Sequence, residues 1–575
     1  LIALALVVWW IVFRIVILPF LQHWKLRASV ANAALGIALL LGVLGFHPKG
    51  PEAIRTVRIS NGVYYTLAQN PILYAGDALR ATVSAQWSEE ARLQKGIGPD
   101  SNWQPLPSIP GQQEPRSRLD PQQTAGAVSV AQAMLARGET FPFPKYPLVR
   151  TQHAQSGIRF NKPANVLLLF IEALDRRFLG RTVNGIRVTP FLDRLKDQSL
   201  FVENFFANGG QTARGLFATF CSYYPRRGLA TMKTRYTHDF LCLPEVLSKA
   251  GYHTEMVIGF DRDLNRLQVF LSRNGMQHIL DESDFPPGSP RMGAAASLGF
   301  PDGALFDVVQ ERINNLQAAK RPFLLAAMTL TTHHPFHVPS GHPEVDALRA
   351  NPDGYLMALR YLDLELERFF STLRDKGLLH NTVVFMFGDH GRHEHVGDTA
   401  IEKQVGHFLT PLYLWMDDSL RTPATYHPRS VTTVASQVDI TPTILAMNGL
   451  MPDIAPFLGQ DLSCLLVRDC IQDNFAYLIS PYGDEVIGLA DQKGILLYGL
   501  RTEMLTHVNL ALGSLDLTPL KTDAGLEMRY RQLESLYVTS NSLLERNLIW
   551  SRKDLEAQLV APNIRRSGDM SSTAH

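Results

Sequence analysis

Residues Thr382–Gly391, TVVFMFGDHG, run from an apolar, β-branched and aromatic stretch into Asp389 and His390, side by side after a glycine. A buried strand that opens at its carboxyl end onto a crevice is how an α/β enzyme presents ligands. A second run of this kind, NVLLLFIEALD, delivers Glu172. Forty residues on, the glycine-rich NGGQTARG offers Thr212 before the apparent helix GLFATF. Carboxylate oxygens with an imidazole suit Mn²⁺, Mg²⁺ or Zn²⁺, and these residue types do not choose among them. A hydroxyl at a helix start lies where backbone N–H groups favour an anion. Beside a divalent cation its oxygen becomes a nucleophile near neutral pH. Taken singly, each group has a plainer use: Asp389 or His390 capping a helix, and Thr212 as an N-cap. The order carboxylate, hydroxyl, then Asp-His is what points to metal-assisted group transfer. Thr219 and Ser222 are rival hydroxyls, inside or beyond the helix.

These groups need a sheet to hold them. ANVLLLFIEA, HTEMVIGF, RPFLLAAMTLTTHHPF, TVVFMFGDHG and PLYLWM read as strands. TPFLDRLKDQS, LPEVLSKAGY, FPDGALFDVVQERINNL, GYLMALRYLDLELERFFSTLRDKG and DITPTILAMNGL read as helices between or after them. The alternation predicts an α/β fold, a mostly parallel sheet with helices on both faces. After about Ala476 the pattern weakens; GDEVIGLADQKGILLYGL reads as antiparallel strands and MRYRQLESLYVTSNSLLERNLI as a helix.

Glu172 after NVLLLF, TPFLDRL, Thr212 before a helix, TTHHPF and FGDHG together resemble the lipoteichoic acid synthase and phosphoglycerol transferase branch of the alkaline phosphatase/sulfatase superfamily, over roughly Pro163 to Leu450. TARGLFATFC followed by LCLPEVLSKAGY is most similar to the phosphoglycerol transferases of osmoregulated periplasmic glucans. The resemblance implies a divalent metal held by Glu172, Thr212, Asp389 and His390, with Thr212 as catalytic nucleophile. It implies substrate binding by His333 in TTHHPF and Arg266 in DLNRLQVF, with His334 and Arg262 as close rivals. His407 in VGHFLTPLYLW falls where related phosphoethanolamine transferases carry a histidine able to bind a second metal, and His393 and His395 crowd the same loop. A phospholipid donor and a hydroxyl or glycan acceptor at a membrane follow as the implied partners. Arg214, two residues past Thr212, departs from the Gram-positive relatives and is either a phosphate partner or a surface charge. Sulfatases require Cys or Ser in C/S-x-P-x-R; CSYYPR at Cys221 has the wrong spacing, and a threonine cannot become formylglycine.

Composition sets the surroundings. Lys+Arg 55 against Asp+Glu 54 leaves a formal net charge of +1, with no basic patch, which excludes nucleic acid as the expected partner. Leu1–Leu21, broken only by Arg14, and Val30–Phe46 are apolar and close to the roughly 20 residues that span a bilayer. Lys25 and Arg27 between them favour the cytoplasm. The chain after His47 is thereby expected in the periplasm of a bacterium, anchored to the inner membrane, and the start without Met suggests that earlier spans are missing. Four cysteines in an oxidising compartment suggest two local disulfides, Cys221–Cys242 and Cys464–Cys470, against four buried thiols. The expected organisation is transmembrane helices over 1–50, an interfacial helix and Pro/Gln-rich linker over 51–156, a metal-dependent catalytic α/β domain over 157–475, and a C-terminal subdomain with a disordered tail over 476–575.

Overall fold

The computed structural model describes residues 121–152, 157–286, 299–393, 398–421, 426–471, 473–481, 485–509 and 525–555. The apolar runs expected to cross a membrane lie outside these residues. Among the described residues no helix is long and apolar enough to cross one.

Eight strands form the main sheet: β1 (Asn165–Ile171), β2 (Leu200–Val202), β3 (His253–Ile258), β4 (His278–Leu280), β5 (Phe323–Met328), β6 (Thr382–Gly388), β7 (Leu412–Met416) and β8 (Arg429–Val431). Their order is β8-β2-β7-β6-β1-β5-β3-β4. β6, β1, β5, β3 and β4 pair in parallel, as do β8 and β2. β7, the PLYLWM run, is antiparallel to both its neighbours, so the sheet is mixed. β1 shows why the sheet is covered on both faces. Alternate side chains point to opposite faces of a strand. Val166, Leu168 and Phe170 join one core, with Phe217 and Phe220 of the helix Thr212–Cys221 and Ile444 of the helix Ile440–Met447. Leu167, Leu169 and Ile171 join the other, with Val309 and Ile313 of the helix Asp302–Ala318 and Leu362 and Phe369 of the helix Gly354–Asp375. Each such side chain contributes about 1.5–3 kcal/mol on burial. An unbroken apolar run is what a strand buried on both faces requires.

β5 and β6, successive main-sheet strands along the chain, flank β1. Registers Gly388↔Ile171 and Met328↔Phe170 bring their carboxyl ends level. Whatever follows these three strands shares one crevice, the place where open α/β sheets bind ligands.

A second, antiparallel sheet comprises Ala476–Ile479, Val486–Asp491, Gly494–Gly499 and Leu505–Val508. Its first strand is tied to the loop before Thr212: Ile479 N donates to Asn208 O (3.0 Å) and Gly210 N to Ile479 O (3.3 Å). The helix Pro121–Leu135 begins where the Pro/Gln-rich stretch ends, and it packs against the helix Leu526–Glu545. Disulfides join Cys221 to Cys242 and Cys464 to Cys470.

Candidate active site and metal centre

Glu172 is the first residue after β1 and Asp389 the first after β6, so pairing of the two strands sets the carboxylates side by side. Asp389 N donates to Ile171 O at 3.2 Å, and Asp389 Oδ1 accepts from Ala173 N (2.9 Å) and His390 N (2.8 Å). Nε2 of His390 lies 3.4 Å from Asp389 Oδ2 and 3.6 Å from Glu172 Oε1. Nδ1 of His390 is 2.8 Å from Gly391 O, a contact that assigns the proton to Nδ1 and leaves Nε2 a lone pair facing the carboxylates. Thr212 opens its helix, and its Oγ1 lies 3.5 Å from Glu172 Oε2. Gln211 before it is extended and makes no side-chain cap, and its carbonyl accepts from Arg214 N (2.8 Å) and Gly215 N (3.0 Å).

The residues present fit a divalent cation. Glu172, Asp389 and His390 each offer a ligand atom, all within 4.8 Å of one another, and all three are buried. Asp389 Oδ2 is buried with no hydrogen-bond donor among the described residues. Burial, and then the charge of Asp389, pushes the Glu172 carboxyl well above the usual carboxylate range. Two facing carboxylates out of water are costly unless a cation joins them.

A cleft of about 100 Å³ runs from this cluster, with Glu172, Thr212 and His333 on its polar side. Its other wall is apolar, including Phe260, Leu264, Leu267, Met328 and Leu330. His333 thus shares the cleft with Thr212, whereas His334 packs edge-on against Phe336 (5.6 Å). Asn265 lines the cleft; Arg266 beside it lies 4.7 Å over the ring of Tyr236. Arg262 is held by Asp281 and Asp284, and so is committed elsewhere. His407 lies outside the three-ligand cluster, its Nδ1 3.0 Å from Ser480 Oγ and its ring 4.8 Å from that of His393. Burial, then the neighbouring charges, lowers His407 to about 4 and His393 to about 2, so both are neutral near pH 7.

Arg214 is neither a surface charge nor aimed at the cleft. Its side chain is buried, donating to the carbonyls of Arg226 and Gly228 and to Gln211 Oε1. It fastens the 226–228 turn to the start of the Thr212 helix. The rival hydroxyls are placed elsewhere too: Thr219 is buried within the helix, and Ser222 Oγ donates to Val438 O at 2.5 Å. Cys221 is consumed in its disulfide.

Three residues that the sequence did not single out hold Glu172. Glu172 N donates to Thr329 Oγ1 (2.9 Å), and Thr332 Oγ1 donates to Glu172 O (2.5 Å). Tyr355 OH donates to the carbonyl of Ala173 at 2.8 Å. Ala173 adopts φ +50°, a left-handed conformation that costs a β-carbon residue of order 1 kcal/mol or more and persists only where neighbours enforce it. The turn it makes aims Glu172 at Asp389. TLTT was visible only in a strand reading and in the motif TTHHPF; two of its three hydroxyls, those of Thr329 and Thr332, acquire a role through the pairing of β5 with β1.

The domain that carries this mixed sheet and its converging carboxylate, hydroxyl and Asp-His pair belongs to the alkaline phosphatase/sulfatase superfamily by its sequence match. Residues 164–450 match the family described as Sulfatase. Over 319 residues the chain is 28% identical to lipoteichoic acid synthase of Staphylococcus aureus, an alignment covering 52% of this chain and 48% of that protein. The chain therefore spans about half the length of the curated relatives it matches. Among solved structures, an alkaline phosphatase superfamily protein of Vibrio parahaemolyticus superposes with a TM-score of 0.62 at 21% identity, covering 76% of this chain and 98% of that one. A lipoteichoic acid synthase of Listeria monocytogenes gives 0.56 at 17%, covering 73% and 98%. These two likenesses concern the fold.

Proposed function

We propose that this chain is a membrane-anchored, metal-dependent phosphotransferase of the bacterial inner membrane, its α/β domain in the periplasm. It moves a phosphoglycerol-type headgroup from a phospholipid to a hydroxyl acceptor, such as a periplasmic glucan, through a phospho-threonine intermediate. One observation carries the reading: a helix-start hydroxyl, Thr212 Oγ1, lies 3.5 Å from a buried carboxylate that belongs to a Glu/Asp/His cluster. Similarity to a lipoteichoic acid synthase supports it.

A divalent cation held by Glu172, Asp389 and His390 would lower the pKa of the threonine hydroxyl and offset phosphate charge. Thr212 Oγ1 directs its proton at Glu172 Oε2 and attacks phosphorus from the helix N-terminus. The Oγ1–P bond forms as the bond from phosphorus to the diacylglycerol oxygen breaks, and that oxygen leaves with the proton that Thr212 gave up. An acceptor hydroxyl then bonds phosphorus as the P–Oγ1 bond breaks, and the acceptor's proton passes to Oγ1, which restores Thr212. His333, which lines the same cleft, binds phosphate oxygens in this reading. His407 and Arg266 serve this reading as groups around the phosphate path, with a second metal near His407 part of the proposal.

Phosphoethanolamine transfer on the same scaffold is the second reading. The cleft wall weighs against it: an ammonium group would be desolvated among Phe260, Leu264, Leu267 and Met328, with Glu172 the one carboxylate lining the cleft among the described residues. An uncharged glycerol loses less by desolvation there than an ammonium does. The test is incubation with phosphatidylglycerol or phosphatidylethanolamine labelled in the headgroup, followed by mass spectrometry of the protein. A glycerophosphoryl adduct on Thr212, absent from Thr212→Ala, is expected; an ethanolamine adduct, or transfer surviving Thr212→Ala, overturns the reading.

A further inference from the structure

One buried carboxamide joins the two halves of the site. Gln437 begins a short 3-10 turn, Gln437–Asp439, and its side chain is fully buried. Its Nε2 donates to Gly388 O (3.0 Å), the end of the strand that delivers the metal ligands, and to Asp389 O (2.7 Å), the residue that follows it. Its Oε1 accepts from Asn208 N at 3.0 Å, in the loop that leads to Thr212. Asn208 reciprocates: its Oδ1 accepts from Val438 N (3.0 Å), and its Nδ2 donates to Tyr477 O (2.7 Å). The first turn of the Thr212 helix presses on the same carboxamide. A β-carbon at Gly215 would stand 2.9 Å from Gln437 Nε2 and 2.3 Å from Asp389 O.

We propose that Gln437 is a positioning residue that fixes the separation between the Asp389–His390 ligand pair and the Thr212 hydroxyl. This rests on the metal and nucleophile assignment above. Two donors and one acceptor on a planar group are what these three backbone atoms require, and among side chains only a carboxamide supplies them together. Asparagine is one methylene short of the span. Glutamate keeps the acceptor and sets oxygen against two carbonyls. A hydrocarbon of equal size orphans three buried backbone groups, and the ligand strand is then free to shift against the helix. Supporting residues of this kind typically change metal affinity or activity 10–100-fold.

The control is Thr443→Val. Thr443 is buried on the next helix, and its hydroxyl donates to Asp439 O (2.6 Å) and accepts from Leu462 N (2.9 Å). It makes no hydrogen bond to the ligand strand or the Thr212 loop. Mn²⁺ and Zn²⁺ affinities by calorimetry, melting temperature, and kcat and KM for headgroup transfer are measured on the full chain. Gln437→Leu is expected to weaken metal binding about tenfold and lower kcat at least as much, with KM little changed, at a temperature where it is folded. Thr443→Val is expected to lose comparable melting temperature with unchanged metal affinity and kcat. Gln437→Met, closer in shape, is the substitute if Gln437→Leu does not fold. Two outcomes overturn the proposal: wild-type metal affinity and kcat in the Gln437 variant, or equal losses of metal affinity in both variants. Metal affinity is read without substrate, so a chain that transfers no headgroup, while Gln437→Leu still binds metal weakly, refutes the proposed donor and leaves the positioning role standing.

Discussion

At Gly215 two local effects oppose each other, and their sizes decide the outcome. Alanine in a helix interior is favoured over glycine by about 1 kcal/mol. Here the added carbon would stand 2.3 Å from the carbonyl oxygen of Asp389, backbone that cannot turn aside as a side chain can. Overpacking of this kind costs about 1–3 kcal/mol or more, so the clash wins. Gly215→Ala is expected to retain its helical circular dichroism while losing more than tenfold in metal affinity and turnover, because the helix carrying Thr212 must move off the ligand strand. Unchanged calorimetric metal binding would refute the close packing argued from this position. The same scale explains what the sequence made visible. Glu172, Thr212, Asp389 and His390 stand out because each combines a reactive type with the end of an apolar run or a glycine-rich turn. Thr329, Thr332 and Tyr355 do not, since a threonine or tyrosine signals nothing until strand pairing brings it to a particular carbonyl.

Among elements, legibility followed length. β1, β5 and β6 announce themselves as six- or seven-residue apolar runs. β2, β4 and β8 have three residues each, too few for a period, and exist because a neighbour's edge is available. The direction of β7 was not legible either, because an apolar run carries no sign of which way it travels. The disulfides lend themselves to a prediction at this level. Cys221–Cys242 closes a separation of 21 residues and Cys464–Cys470 one of 6. On the chain-entropy account these are worth about 3 and 2 kcal/mol. Replacing the first pair by alanine should therefore lower the denaturation midpoint more than replacing the second, and the reverse ranking would reject the account. Asp363 offers another. On the helix Gly354–Asp375, it accepts the N–H groups of Phe191 and Leu192 at the start of the helix Pro190–Lys196. Burial, partly opposed by those hydrogen bonds, raises its carboxyl to about 7. A raised carboxyl binds its proton more tightly in the folded chain, so its contribution is full below the unfolded value near 4 and is lost as pH rises through about 7. Melting temperatures from pH 4 to 7 should fall more steeply with pH for the wild type than for Asp363→Asn; parallel curves would contradict this.

For the whole molecule, the site is a concentration of cost that the rest of the fold sustains. Glu172 and Asp389, 3% and 0% exposed, face each other at the end of two fully buried strands, and Ala173 is held in a left-handed conformation to aim one of them. Two hydrophobic cores, one on each face, and the antiparallel sheet behind Asn208 stabilise the arrangement against that repulsion. Such a distribution predicts a trade between stability and ligand binding. With chelator present at pH 7, Glu172→Gln should melt higher than the wild type: the raised Glu172 carboxyl must either keep a proton that the unfolded chain releases above about 4.3 or stand as a second charge beside Asp389, and glutamine does neither. Adding Mn²⁺ or Zn²⁺ should raise the wild-type melting temperature, by an amount that corresponds to about 2.7 kcal/mol once the free metal exceeds its dissociation constant a hundredfold. Glu172→Gln should respond far less, and Thr212→Ala, which keeps all three buried ligands, should respond nearly as the wild type does. The measurement is a set of melting curves over a metal titration for the three proteins. A chelated Glu172→Gln that melts below the chelated wild type would show that Glu172 supports the fold through contacts of its own, and that the strain lies elsewhere.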